Sequence, residues 1–131
     1  MFSSLEIFKT ASALAAHSGA RQAVISQNMA NADTPGYRAM DVRGFADTYR
    51  STLGPLQLRT TRAAHFTSPE IPGARFGVQA VERPGDASPN GNTVSLEQEM
   101  LNAVETRYSH DVALTAYRSG LNLLRTSLGR S

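Results

Sequence analysis

Proline divides this chain into three parts. All six prolines (Pro35, Pro55, Pro69, Pro72, Pro84 and Pro89) and seven of the ten glycines fall between Pro35 and Thr93, and neither flank contains a proline. A proline inside a helix removes a backbone hydrogen bond and clashes with the preceding turn. A long proline-free flank can therefore be one continuous helix, and the middle cannot. The expected division is an N-terminal helical arm over residues 1–34, an irregular middle region with turns and short strands over 35–93, and a C-terminal helical arm over 94–131. The fold class that follows is mainly α: two long N- and C-terminal helices pairing as an antiparallel coiled-coil-like bundle, with short β segments in the irregular middle.

Both arms carry start signals and an apolar stripe. Ser3 with Glu6 three residues later reads as a capping box, and Phe2 with Ile7 as a hydrophobic staple. Ile7, Ala11, Leu14, Ser18, Arg21, Ile25, Asn28 and Ala32 then step by alternating fours and threes, a heptad seam interrupted by Ser18, Arg21 and Asn28. The second arm is expected to start near Ser95, with Gln98 at the reciprocal capping position and Glu97 and Glu99 favouring the positive end of the helix. Its seam runs through Leu96, Met100, Ala103, Leu114, Tyr117, Leu121, Leu124 and Leu128, with Arg107 and His110 as exceptions. Arg118, Arg125 and Arg130 suit the C-terminal end, and Gly129 suits the cap. Gly19 and Gly120 cost helix propensity and permit close helix approach. Long helices with narrow stripes need partners. Either the two arms pack as a hairpin onto their own middle, or they complete their core against other copies or homologues. The expected assembly seam is Ile7, Leu14, Ile25, Leu96, Met100, Leu114, Tyr117, Leu121, Leu124 and Leu128.

The middle offers two alternating runs for short strands, Pro55–Thr61 and Phe76–Glu82, and a turn cluster at Ser88–Asn92 with Asn90-Gly91 at its tip. Chemistry is hard to find. His17, His65 and His110 lie in different segments without metal-ligand spacing, and Glu97 and Glu99 point to different sides of a helix. No serine stands in a nucleophile elbow, and no Gly-rich loop links a strand to a helix. An enzyme is not expected, nor a catalytic, cofactor or metal site. The net charge is +2, with Lys9 the sole lysine among thirteen basic residues. Arginine favours planar, multidentate pairing at interfaces. The arginines are scattered among acidic residues, so nucleic acid is not an expected partner, and neither is a small-molecule substrate. Cysteine is absent, which suits a protein that must travel unfolded. No apolar run is long enough to span a membrane. Residues 10–16 are too weakly apolar for the core of a cleaved signal peptide.

The first arm is expected to stop at about Asp33, because Thr34 precedes a proline. Pro35-Gly36 suits the centre of a type II turn, with Gly36 at φ > 0, and Asn28 and Asn31 can satisfy backbone groups left open at the helix end. Taken whole, Asn28-Met-Ala-Asn-Ala-Asp-Thr-Pro-Gly-Tyr37-Arg38 resembles the N-terminal signature of bacterial flagellar axial proteins, the rod and hook subunits, through Asn28, Ala30, Asn31, Thr34, Pro35, Gly36 and Tyr37. A second string, Ser88 to Met100, is similar to a segment of the short rod subunits of that family. It matches at Asn92, Thr93, Val94, Leu96, Glu97, Glu99 and Met100, with Asn90 and Ser95 where aspartate is usual. Leu58-Arg-Thr-Thr61 with His65-Phe66 is a third, shorter likeness. The resemblance implies a structural subunit of the flagellar basal-body rod, in its proximal part, assembling by terminal-helix packing into a helical tube that transmits torque. Implied partners are copies of itself, other rod subunits, an adapter subunit leading to the membrane ring and export gate, and the flagellar type III export apparatus. The implied location is the periplasmic rod, reached without signal cleavage. The alternative reading is a non-polymerising coiled-coil adapter or type III export chaperone.

Overall fold

The computed structural model describes residues 2–53 and 78–129, so the run Pro55–Thr61, the start of Phe76–Glu82, and His65 with its neighbours lie outside the described residues. Two long helices dominate, α1 (Phe2–Ala30) and α3 (Leu96–Ser127). At 29 and 32 residues, each is about 45 Å long. Between them come strand β1 (Met40–Val42), helix α2 (Phe45–Leu53) and strand β2 (Ala80–Glu82). The long helices pack together antiparallel. Phe8 stands edge-on to Tyr117 with ring centroids 5.0 Å apart, Arg21 reaches Glu105, and Asn28 reaches Glu99. The mainly helical fold with paired terminal helices and a small β element is the one expected from the proline distribution.

The caps follow the sequence at both ends of the second arm and not at the start of the first. Ser95 is the N-cap of α3, its hydroxyl accepting from the Gln98 N–H. The Gln98 amide does not return to the cap; it donates to Asn102 Oδ1 at 3.2 Å, one turn further on. Gly129 follows the C-cap Leu128 at φ +69°, in the left-handed conformation that glycine supplies. Helix α1 is already under way at Phe2, so Ser3 stands inside its first turn and is not the cap.

Two elements in the middle escaped the sequence pattern. The strand Ala80–Glu82 was expected, but its partner is Met40–Val42, in an antiparallel pair with Asp41 opposite Val81. Helix α2 lies in a stretch expected to be irregular. It has Asp47 in its first turn and Arg50 in its last, both favourable to the helix dipole. Phe45 and Tyr49, four apart, stack at 5.4 Å, and the Tyr49 hydroxyl meets Thr10 Oγ1 at 3.2 Å. His17 closes this contact, with Nε2 2.7 Å from the Arg43 carbonyl and its ring edge-on to Phe45.

The α1–α3 contact is not the seam drawn from the large apolar residues. On α3 the buried positions are Glu99, Asn102, Thr106, Ala113 and Gly120. This stripe is rotated by about one residue, roughly 100°, from Leu96–Met100–Ala103. On α1 the expected seam is buried at Ala11, Ser18, Ile25 and Asn28. Small side chains let the helices approach. A Cβ on Gly120 would stand 3.1 Å from the Phe8 ring, whereas one on Gly19 would meet nothing within 4 Å. Gly120 therefore serves close approach, and Gly19 does not within this chain. Among the described residues, buried polar side chains outnumber buried apolar ones, nine to five. Hydrogen bonding must hold much of this interior.

Candidate functional site

The two strings that stood out in the sequence meet in space. After Ala30 the chain makes a turn instead of continuing to Asp33. Asn92, which is buried (2% exposed), stands against this turn. Its Nδ2 lies 3.0, 2.8 and 2.8 Å from the carbonyls of Asn31, Ala32 and Thr34. A side chain from far along the sequence thus caps carbonyls that the helix end leaves without an internal donor, Asn31 among them because the residue four further on is Pro35. Its Oδ1 accepts from the Val94 N–H at 2.7 Å, which holds the amide in this orientation. Asn31 satisfies the helix end locally, donating to the Gln27 carbonyl at 2.8 Å and accepting from the Thr34 hydroxyl.

The turn Thr34–Tyr37 closes with Tyr37 N–H on the Thr34 carbonyl at 3.3 Å, and Gly36 has φ +71°. The positive φ expected there is present. Gly36 N–H donates to the Asn90 carbonyl at 2.9 Å, and Gly91, at φ +81°, lies against it. A Cβ on Gly91 would come within 3.5 Å of Gly36 Cα. Two glycines in left-handed conformations make this backbone-to-backbone contact possible. Thr93 extends it: its N–H donates to the Tyr37 carbonyl and its hydroxyl accepts from the Ala39 N–H at 2.8 Å.

Asn28 does more than finish a helix. Fully buried, it pairs with Met40 as a neighbouring strand would: Nδ2 donates to the Met40 carbonyl at 2.7 Å and Oδ1 accepts from the Met40 N–H at 3.0 Å. Oδ1 also accepts from the Tyr37 hydroxyl at 3.3 Å, and Nδ2 donates to Glu99 Oε2 at 3.1 Å. Glu99 is itself fully buried, and its Oε1 takes a bond from Arg83 Nη2. Arg83 is 3.8 Å from Asp41, which Arg21 also engages at 3.1 Å, and Arg21 reaches Glu105 at 3.3 Å. The result is an alternating chain of charges, Glu99–Arg83–Asp41–Arg21–Glu105, tying α1, β1, β2 and α3 together. Burial pulls the Arg21 pKa down, but the hydrogen bond to Asp41, the Asp41 charge, and the charge and bond of Glu105 outweigh it and raise it above its ordinary value. Its contribution would be lost only as pH rises beyond that already very alkaline range. Two of the seam interruptions, Arg21 and Asn28, are thereby explained: they are polar because they fix register.

Of the expected signature residues, Asn28, Asn31, Thr34, Gly36 and Tyr37 take part in this docking. Ala30 and Pro35 are exposed at its edge. Of the expected assembly seam, Ile25 is 1% exposed and belongs to the interior of the helix pair. Leu14, Leu121 and Leu124 are half-buried at its margin. Ile7, Leu96, Met100, Leu114, Tyr117 and Leu128 are exposed. Sequence reasoning missed the network of buried Glu99 with half-buried Arg83 and Asp41. Glu99 was read as a helix-dipole residue, and its inward placement had no local signal beyond its position three residues before Asn102 on the small-residue stripe.

The described residues thus build a scaffold of paired terminal helices held to a docked turn by buried amides and charges. Residues 10–38, which contain the turn, match the model of the family described as flagella basal body rod protein. Across most of its length the chain is similar to flagellar basal body rod proteins FlgB. It is 33% identical to that of Proteus mirabilis over 107 residues, 76% of each chain. It is 32% identical to that of Cereibacter sphaeroides over 108 residues, 82% of each, and 30% identical to that of Salmonella typhimurium over 112 residues, 77% of each. The chain therefore belongs to the FlgB family of flagellar basal body rod proteins. It is a structural subunit of the rod and not an enzyme, and the adapter or chaperone reading is not favoured.

Proposed function

We propose that the outward flank of the α1–α3 pair is the surface through which this subunit joins the rod, and that the docked turn sets the direction in which α1 leaves the rest of the chain. The observation that carries this reading is the exposed position of Leu96, Met100, Leu114 and Leu128 on one long helix. A monomer gains nothing by presenting large apolar side chains in a row, whereas an assembling subunit buries them against neighbours. Ile7, Leu14, Tyr117, Leu121 and Leu124 continue the same margin, while Ile25 stabilises the pair from within. An open helical lattice needs heterologous contacts, so each subunit presents two different surfaces.

In this reading residues 1–34 and 94–131 form the inner wall of the tube and residues 35–93 face outward. The neighbours are copies of itself, other rod subunits, and an adapter leading to the membrane ring. The site of action is the periplasmic, proximal part of the rod. The type III export apparatus delivers the chain unfolded and without cleavage, and the absence of cysteine suits that passage. Purified basal bodies test it. The native chain is expected in the rod fraction, intact at its N-terminus, and Leu114→Asp is expected to be synthesised and exported but not incorporated. A native chain found only in the cytoplasm would refute the assembly reading.

A further inference from the structure

Three seam interruptions are left over from the ion network: Ser18 on α1, and Arg107 and His110 on α3. They lie together. With Gly19, Val104 and Thr106 they line an open groove of about 600 Å³ between the long helices. Its lining has two features that a finished surface lacks. The hydroxyls of Ser18 and Thr106, on residues 3% and 2% exposed, have no hydrogen-bond partner. Such groups are costly to leave unpaired. Gly19 borders the groove, and a side chain there would meet nothing within 4 Å. Gly19 thus keeps the groove open, and the two unpaired hydroxyls lie buried beneath its lining.

The same chain carries a matching surface. On the outer face of α3, Met100, Val104, Tyr108 and Val112 form an unbroken row at i, i+4, i+8 and i+12, all of them exposed. Rows at that spacing are the ridges that enter grooves on neighbouring helices. Tyr108 is 70% exposed, and its phenol can both donate and accept. Asp111 lies three residues beyond it, on the adjoining part of the helix surface. Among the described residues, neither Asp111 nor Arg107 forms an ion pair. The charges are complementary: a cation at the groove and an anion beside the ridge.

We propose that the groove at Ser18, Gly19, Thr106 and Arg107 receives the Tyr108 ridge of a second copy of this chain. The phenol enters toward the two unpartnered hydroxyls, and Asp111 approaches Arg107. Groove and ridge adjoin along Val104, and the contact proposed, the groove of one copy with the ridge of the next, is heterologous. It repeats without closing unless the rotation happens to close a ring. This proposal rests on the assembly reading above and specifies one contact within it.

The chain has no cysteine, which makes the test direct. Gly19→Cys and Tyr108→Cys are introduced into separate, differently tagged copies, co-expressed, and oxidised in isolated basal bodies. A disulfide-linked dimer containing both tags is expected in the mixture and in neither variant alone. Gly19→Leu gives the second measurement. Its Cβ meets nothing within 4 Å and the rest of the side chain extends into the open groove, so the circular dichroism spectrum should be unchanged while incorporation into basal bodies is lost. Incorporated cysteine variants that give no mixed dimer, or Gly19→Leu cells with normal basal bodies and swimming, would overturn this contact and leave the rod assignment intact. Failure of the unmodified chain to appear in basal bodies would remove both.

Discussion

Asn92 offers the sharpest test of how the two signature strings are joined. Its amide has two hydrogens shared among three carbonyls, and its oxygen takes the Val94 N–H. Three hydrogen bonds at a net worth of about 1 kcal/mol each give an upper figure of about 3 kcal/mol for Asn92→Ala. The carbonyls belong to half-buried or exposed residues, so water recovers part of this, and the expected loss is about 2 kcal/mol. The substitution closest in size, Asn92→Asp, is expected to be worse. It keeps the acceptor for Val94 but turns a carboxylate oxygen toward carbonyl oxygens that now stand at 2.8 to 3.0 Å. A charge placed among acceptors has no compensation, and a further loss of about 1–3 kcal/mol follows. Urea unfolding followed by helical circular dichroism measures both. With a slope of about 2 kcal/mol/M, the midpoint should fall by about 1 M for alanine and by more for aspartate. Lowering the pH should narrow the gap between the two variants, since protonation restores a donor to the introduced carboxyl. If Asn92→Asp is as stable as the native chain, or milder than Asn92→Ala, the amide is not clamping these carbonyls and the docking argument fails.

Other perturbations test other joints. Glu99→Ala should cost about 3–5 kcal/mol because Arg83 loses its closest buried partner, whereas joint replacement of Glu99 and Arg83 by methionine should cost far less, as a double-mutant cycle in urea would show. Gly36→Val forces a β-branched residue to φ +71° and should remove rods but not secretion of the chain, while Gly36→Ala should be milder; normal basal bodies in Gly36→Val cells would reduce the turn to ordinary loop chemistry. Gly120→Leu should destabilise by about 1–3 kcal/mol through the Phe8 ring, and Gly19→Ala should stabilise by about 0.5–1 kcal/mol, both read from thermal melts. Leu121→Asp should abolish swimming while synthesis continues, and motile cells would contradict the assembly margin.

The helical arms were legible because proline is excluded from helix interiors by a rule that acts locally. The Ser95 cap and the positive φ of Gly36 were legible because they too follow local rules. Helix α2 was hidden by its surroundings. Nine residues between glycines, in a region rich in breakers, present too few turns for a period to show, and its stability comes from Phe45 and Tyr49 meeting His17 and Thr10 on another element. Strand β1 has three residues, too few for alternation, and its partner is some forty residues away. The end of α1 comes three residues earlier than expected, at a turn whose carbonyls are capped by Asn92. No rule about Thr34 and Pro35 can anticipate a donor from that distance.

The rotation of the α3 contact is the more instructive departure. A heptad reading assigns the inside of a helix pair to its largest apolar residues. Here the inside is made of Ala11, Ser18, Ile25, Asn28, Glu99, Asn102, Thr106, Ala113 and Gly120, with Ile25 its one large apolar side chain, and the Leu, Met and Tyr residues of the expected stripe stand at the margin or outside. Small residues let the helices come close, and hydrogen-bonded amides and charges admit only one register, since sliding by one turn would leave each of them unpaired in the interior. Such a pair is defined in geometry without consuming the side chains that carry most hydrophobic free energy. In the proposed assembly those side chains stay available, and at about 25 cal/mol for each Å² of apolar surface covered they would drive the joining of neighbours. A subunit that turned Leu96, Met100, Leu114 and Leu128 inward would be the more stable monomer and would have no apolar flank left to polymerise with. On that proposal the polar interior and the apolar exterior of these helices answer one requirement, that the chain fix its own shape while reserving its adhesion for the lattice.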